Sequence, residues 1–222
     1  MIIKSSEVLE AFKDFNNQIK ESQNIAIFTR DLNIQKEEVE KLENYINSLQ
    51  EIKKSNRTKY TEDELNLLMC IILSADTIKC ELLMLIALKE NNMDSAWSYL
   101  VEAQNTISLV SRNHPFNPEM LNGYISKLTQ YEKTLFPRMA FSSIGSIIKK
   151  SRCTICNNDY NECDHIKGKL YGGEICAREI LDAEIEEVSI VDNPANKLCR
   201  QLACDRKGKT VNILTLVPKE SP

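Results

Sequence analysis

Apolar residues recur three and four apart through the first 137 residues, and beyond them the pattern breaks into short runs separated by turns. Val8, Phe12, Phe15 and Ile19 predict a first helix, with Ser5 or Ser6 placed to cap it. Leu32, Val39, Leu42, Ile46 and Leu49 define a second. Their spacing is heptad-like, but it stays unbroken for only about two heptads, so an amphipathic helix packed on its own bundle is expected rather than a coiled coil. Lys53 to Lys59 (KKSNRTK) reads as a basic, solvated linker. Thr61 and Glu64 then form a capping-box signature that opens the longest apolar helix, about Glu62 to Lys89. Leu65, Leu68, Met69, Ile72, Leu73, Leu82, Leu83, Leu85 and Ile86 cover most of its circumference. Such a helix needs neighbours on several sides, which predicts that it is the centre of the helical part. Cys70 and Cys80 lie on it as core residues.

Asn91 and Asn92 end that helix, and Ala96, Leu100, Ala103, Ile107 and Val110 mark the next, flanked by Trp97 and Tyr99. The two together resemble a single tetratricopeptide-like hairpin, with no second copy at a fixed period. Asn117-Pro118 is a helix start, and Leu121, Tyr124, Ile125, Leu128 and Leu135 carry a last helix to Pro137. His114, between Asn113 and Pro115, is expected in a loop. After Pro137, Met139 to Lys150 predicts a bent strand or hairpin, while Glu187–Val191 and Val211–Val217 are β-rich. Asn193-Pro194 and Lys207-Gly208-Lys209 supply turns. The expected architecture is α+β: an all-helical bundle over residues 1–137, then a small cysteine-rich α+β module with short strands over 138–222.

Composition narrows the class of protein. Of 222 residues, 42% are hydrophobic and 27% charged, as in folded globular proteins. The net charge is −4. From Lys149 onward there are 12 basic and 12 acidic residues, leaving 16 and 20 in the first 148. Neither part offers a polyanion-binding surface, so nucleic acid and anionic membrane are not expected partners. The N-terminus MIIKSSEVLEAF lacks the pattern of a signal peptide. The apolar stretch Leu65–Leu88 is interrupted by Ser74, Asp76, Lys79 and Glu81, which argues against a membrane span. A cytoplasmic location is therefore expected, where clustered cysteines point to metal rather than to disulfides.

The cluster is CTICNNDYNECDHIKGKLYGGEIC, from Cys153 to Cys176, with four of the eight cysteines and one of two histidines. Cys153-x2-Cys156 is the spacing at which two thiolates grip zinc from a tight turn, and Asn157 and Asn158 follow where a left-handed backbone is wanted. Cys163-x-His165 would place two more ligands on one face of an extended segment. The expected set is Cys153, Cys156, Cys163 and His165, with Cys176 replacing Cys163 or His165 as the alternative. Four protein ligands close a tetrahedral site, which points to structural Zn²⁺. Cys199 and Cys204, five apart, read as free or core cysteines.

Two partial resemblances bear on function. Asp164-His165-Ile166 with Gly172-Gly173, and Asn196 with Cys199, resemble the motif of HNH-type nucleases. That resemblance implies His165 as general base beside a catalytic metal, although no histidine follows it and no second CxxC pair is present. Glu187 to Asn196 (EVSIVDNPAN) resembles a segment of the phage prohead protease family, which implies a strand entering a turn at Asn193-Pro194. Ser189 does not match that family's nucleophile position. No phosphate-binding GxxxxGK[ST], GxGxxG or GxSxG motif occurs. The expected function is a non-enzymatic, zinc-containing adaptor or accessory protein that binds another protein. The alternatives are an HNH-like metal-dependent nuclease using His165 and a degenerate prohead-protease-like module.

Overall fold

The computed structural model describes residues 3–55, 57–115 and 119–218, and the fold is α+β. Among the described residues five helices come first: α1 (Ser6–Phe28), α2 (Leu32–Ser55), α3 (Glu62–Lys89), α4 (Met93–Asn113) and α5 (Glu119–Leu135). Strands follow: β1 (Phe141–Cys153), β2 (Leu170–Tyr171), β3 (Glu174–Ile175), β4 (Arg178–Val191), β5 (Ala203–Arg206) and β6 (Lys209–Asn212), with one 3-10 turn at Tyr160–Glu162. They pair antiparallel as three two-stranded sheets, β1–β4, β2–β3 and β5–β6. The start of the last helix at Asn117-Pro118 lies outside the described residues.

Helix α3 is central because it is apolar nearly all round. One side packs with α1 and α2 in a core that includes Val8, Leu42, Ile46, Leu49, Leu68 and Ile72. The other side packs with α4 and α5 around Met84, Trp97, Leu100, Ile107 and Leu128. Cys70 and Cys80 are buried along it. The second core continues through Phe136, Met139 and Phe141 to Leu214, so it crosses from the helices into the strand region. Among the described residues no helix is long and apolar enough to cross a membrane.

The ends of the helices follow local chemistry. Ser5 Oγ accepts from Val8 N and caps α1. Thr61 and Glu64 complete a capping box on α3. The Glu64 carboxylate also accepts from the backbone N–H groups of Lys4 and Ser5, both at 2.7 Å, and so ties the N-terminal segment to the start of α3. The N–H of Thr61 lowers its pKa most; burial opposes this, and the Ser5 and Lys4 amides help bring it down to about 2. A depressed carboxyl pKa contributes stability above the ordinary value of 4.5 that is lost as pH falls toward 2. Glu64→Gln should therefore cost on the order of 2 kcal/mol at neutral pH, the scale of hydrogen bonds to a charged group. Urea titrations should also show a shallower loss of stability below pH 4.5. Equal acid limbs for the two proteins would remove Glu64 as the cause.

Four features differ from the sequence pattern. In α2 the buried stripe is Gln35, Glu38, Leu42, Ile46 and Leu49, so polar residues replace Leu32 and Val39, which are half-buried. Their hydrogen bonds are made: Gln35 accepts from Lys89 Nζ at 2.7 Å, and Glu38 accepts from Ser22 Oγ at 2.6 Å. The expected linker begins late, because α2 runs on to Ser55 and the Lys53 side chain is 17% exposed. The strands are also not all short, since β1 has 13 residues and β4 has 14. Their register shifts at Gly145/Ser146, Ile148/Lys150 and Lys150/Ser151 bend the ribbon, as bulges do. The second β-rich run, Val211–Val217, leaves its strand after Asn212 and turns, with Leu216 in the left-handed region at φ 56°.

A buried polar group also fixes α5. Glu81, fully buried on α3, accepts hydrogen bonds from Tyr124 Oη, from Lys127 Nζ at 2.8 Å and from Tyr131 Oη at 3.3 Å. Burial, with Glu81 adjacent, pushes the Tyr124 phenol well above its ordinary pKa and that of Tyr131 to about 12. Both phenols therefore remain donors at neutral pH.

Candidate metal centre

The residues between β1 and β4 fold as loops around sulfur. At the end of β1 the chain turns tightly, with Asn157 N donating to Cys153 O at 2.9 Å and Asn157 at φ 61°. This is the left-handed position expected of that asparagine. Ile155 N points at Cys153 Sγ, 3.4 Å away. After the 3-10 turn, His165 N points at Cys163 Sγ at 3.2 Å. Two turns thus aim backbone N–H groups at two sulfurs, the arrangement that supports thiolate ligands.

The ligand atoms of Cys153, Cys156, Cys163 and His165 all lie within 4.8 Å of one another. Cys156 Sγ is 3.6 Å from Cys163 Sγ, and Cys163 Sγ is 3.2 Å from His165 Nδ1. Around tetrahedral zinc with Zn–S bonds of about 2.3 Å, neighbouring sulfurs would stand about 3.8 Å apart. The cluster could therefore hold a metal ion, and its size and its three-sulfur, one-nitrogen donor set are compatible with zinc. Cys176 Sγ lies 3.8 Å from Cys153 Sγ but falls outside the group of four. His114 is the C-terminal cap of α4 and is not in that group either. Cys199 and Cys204 are exposed free thiols.

The electrostatics of the cluster suit a cation. Burial acts to raise the Cys153 thiol, but the N–H groups of Cys156 and Ile155 and the thiols of Cys163 and Cys176 outweigh it, bringing it down to about 6. Cys163 and Cys176 are pushed up to about 11, first by burial and then by sharing the site with Cys153. The Cys153 thiolate thus opposes the ionisation of Cys163 and Cys176, a repulsion that a bound cation would relieve.

Contacts from the helices hold the loops in place. Asn113, the last residue of α4, donates to Gly168 O at 2.8 Å and accepts from Leu170 N at 3.0 Å. Asn66 of α3 accepts from Gly173 N at 2.8 Å, and Lys53 Nζ donates to Gly173 O at 2.9 Å. Gly173 is required twice over: its φ is 77°, and an added Cβ would meet Leu65 O at 3.1 Å. Tyr171 packs edge-on against the His165 ring, centroids 4.5 Å apart, and its hydroxyl accepts from Ile166 N. Sequence reading missed Asn66, Asn113 and Lys53, since single polar residues on helices carry no local signal of a partner more than fifty residues away.

A second convergence of acids and sulfur, Asp76, Cys80 and Glu102, joins α3 to α4, with Asp76 already ion-paired to Lys79 at 2.9 Å. Comparisons with known proteins return no match: no family model fits the chain, and no curated protein and no solved structure matches it.

Proposed function

We propose that this protein is a non-enzymatic adaptor or accessory protein that binds another protein, with a structural Zn²⁺ at Cys153, Cys156, Cys163 and His165. The observation that carries this reading is the convergence of those four ligand atoms within 4.8 Å. Four protein donors complete a tetrahedron, so a bound zinc has no position left for water or substrate. The imidazole of His165 lies in that set, with Nδ1 3.2 Å from Cys163 Sγ, and a ring nitrogen whose lone pair binds zinc is not available to act as a general base. The acidic balance of the helical part also disfavours a nucleic-acid substrate.

Metal analysis of a His165→Ala variant tests the assignment. The expected outcome is about one zinc per wild-type chain, strongly reduced in the variant, and no Mg²⁺-dependent cleavage of DNA by either. A variant that keeps its metal and fold but loses a wild-type nuclease activity would establish the HNH-like alternative instead. Affinity capture from the native host tests the adaptor role, and a wild-type chain that enriches no specific protein would end it.

A further inference from the structure

The β1–β4 ribbon presents both of its faces to solvent. Residues paired across an antiparallel ladder share a face. One face therefore carries Ser142 with Ile190, Ile144 with Val188, Ser146 with Ile185, and Ile148 with Ala183. Ile144, Ile185, Val188 and Ile190 are 60, 65, 66 and 72% exposed. They form one contiguous apolar stripe, of the kind that marks an interaction surface on a soluble protein. The opposite face carries Gly145 with Glu187 and Ile147 with Glu184.

The free edge of β4 is where these properties meet. Among the described residues β1 is its only neighbour, so the backbone groups on its outer side have no strand partner there. Its acids are Glu179, Asp182, Glu184, Glu186 and Glu187. Glu179 is ion-paired to Arg152 and Glu184 to Lys149, which among the described residues leaves Asp182, Glu186 and Glu187 without an ion pair. A two-stranded ribbon is marginal in water, and a third strand on an apolar face is what stabilises such a sheet.

We propose that β4 receives an added strand from another protein, an extended segment in which apolar residues alternate with lysine or arginine. This rests on the adaptor reading and names the surface through which it would act. Alternation is required because the added strand would extend both faces at once. Its apolar side chains would continue the stripe of Ile185, Val188 and Ile190, and its cations would stand across from Glu187 and the other unpaired acids. A second copy fits less well, since an antiparallel β4–β4 pairing centred on the run Asp182–Glu187 would set carboxylate against carboxylate.

The test is a fluorescence-anisotropy titration of the zinc-loaded full-length chain with three synthetic twelve-residue peptides. One alternates valine and lysine, one alternates valine and glutamate, and one is the valine–lysine peptide N-methylated at every residue so that neither of its edges can donate hydrogen bonds to β4. Saturable binding of the first peptide alone is expected, weakened at least tenfold by Ile185→Ser with Val188→Ser. Glu186→Gln with Glu187→Gln should weaken it several-fold and flatten its dependence on salt. Circular dichroism and zinc content of both variants should match wild type, because every altered side chain is exposed. No binding of the valine–lysine peptide overturns the proposal, as does equal binding of the glutamate or N-methylated peptide, or affinity unmoved by the variants. Self-association of wild type that the serine variant abolishes would assign the face to a second copy. If the serine variant captures the same host protein as wild type, the ribbon proposal falls and the adaptor reading stands; if wild type captures none, the adaptor reading falls.

Discussion

Stripping metal from the zinc-loaded chain with a chelator should unfold residues 153–177 while the five helices persist. The magnitudes decide this. Structural zinc in a small site contributes on the order of 10 kcal/mol, whereas each hydrogen bond that tethers the loops to the helices contributes about 1 kcal/mol. The tethers from Asn66, Asn113 and Lys53, with that from Lys169 Nζ to Arg112 O, are too few to hold the loops without a bound metal. Amide exchange should report loss of protection at Asn157 and Cys176, whose N–H groups bond to Cys153 O and Lys169 O, with α3 and α4 unchanged. Protection that survives complete metal removal would show that the loops fold without it. Cys156→Ser should reproduce the effect, whereas Cys199→Ser, at an exposed thiol outside the cluster, should leave zinc content and exchange unchanged.

The second large effect is expected at Trp97. It is the only tryptophan, it is 1% exposed, and it stands where the helices meet the foot of the ribbon. Its ring meets Phe136 edge-on at 5.2 Å and Phe141 at 6.2 Å, and its Nε1 donates to Lys197 O at 3.0 Å. Trp97→Ala removes a large buried side chain and leaves the Lys197 carbonyl without that donor, so a loss of about 3–5 kcal/mol is expected from denaturant unfolding. Trp97→Phe should recover the greater part, because the ring contacts remain and one hydrogen bond is lost. A loss below about 1 kcal/mol for the alanine variant would mean that the site collapses around the missing ring.

The helices were legible where one side chain decides one local event. Thr61 and Glu64 specify a cap through atoms three residues apart, and the all-round apolarity of α3 announces a central helix. The convergence of Cys153, Cys156, Cys163 and His165 was legible for the same reason, since CxxC and CxH put the chemistry and its spacing in one short string. Gln35 and Glu38 were not, because a buried polar residue looks like a surface one until its partners Lys89 and Ser22 are in place. The length of β4 was hidden too. Its run from Glu179 to Glu187 is acid-rich, and the register shifts break the alternation by which a strand is recognised. Only Glu187–Val191 stood out, where the charges thin.

The ribbon and α4 run between the same two neighbourhoods. Phe141, at one end of β1, packs on Trp97 near the start of α4, while the loops beyond the other end bond to Asn113, its last residue. At 1.5 Å per residue the helix covers roughly 24 Å between those points, whereas thirteen residues of strand have a contour of roughly 40 Å. The strand pair is therefore longer than the helix between those points, and among the described residues neither strand makes extensive contact along a helix. Length and attachment are consequently independent in this fold. Residues removed in matched pairs outside the Ile144–Val188 and Ser146–Ile185 pairs should be tolerated over evolutionary time, while its two feet are fixed to a rod of set length.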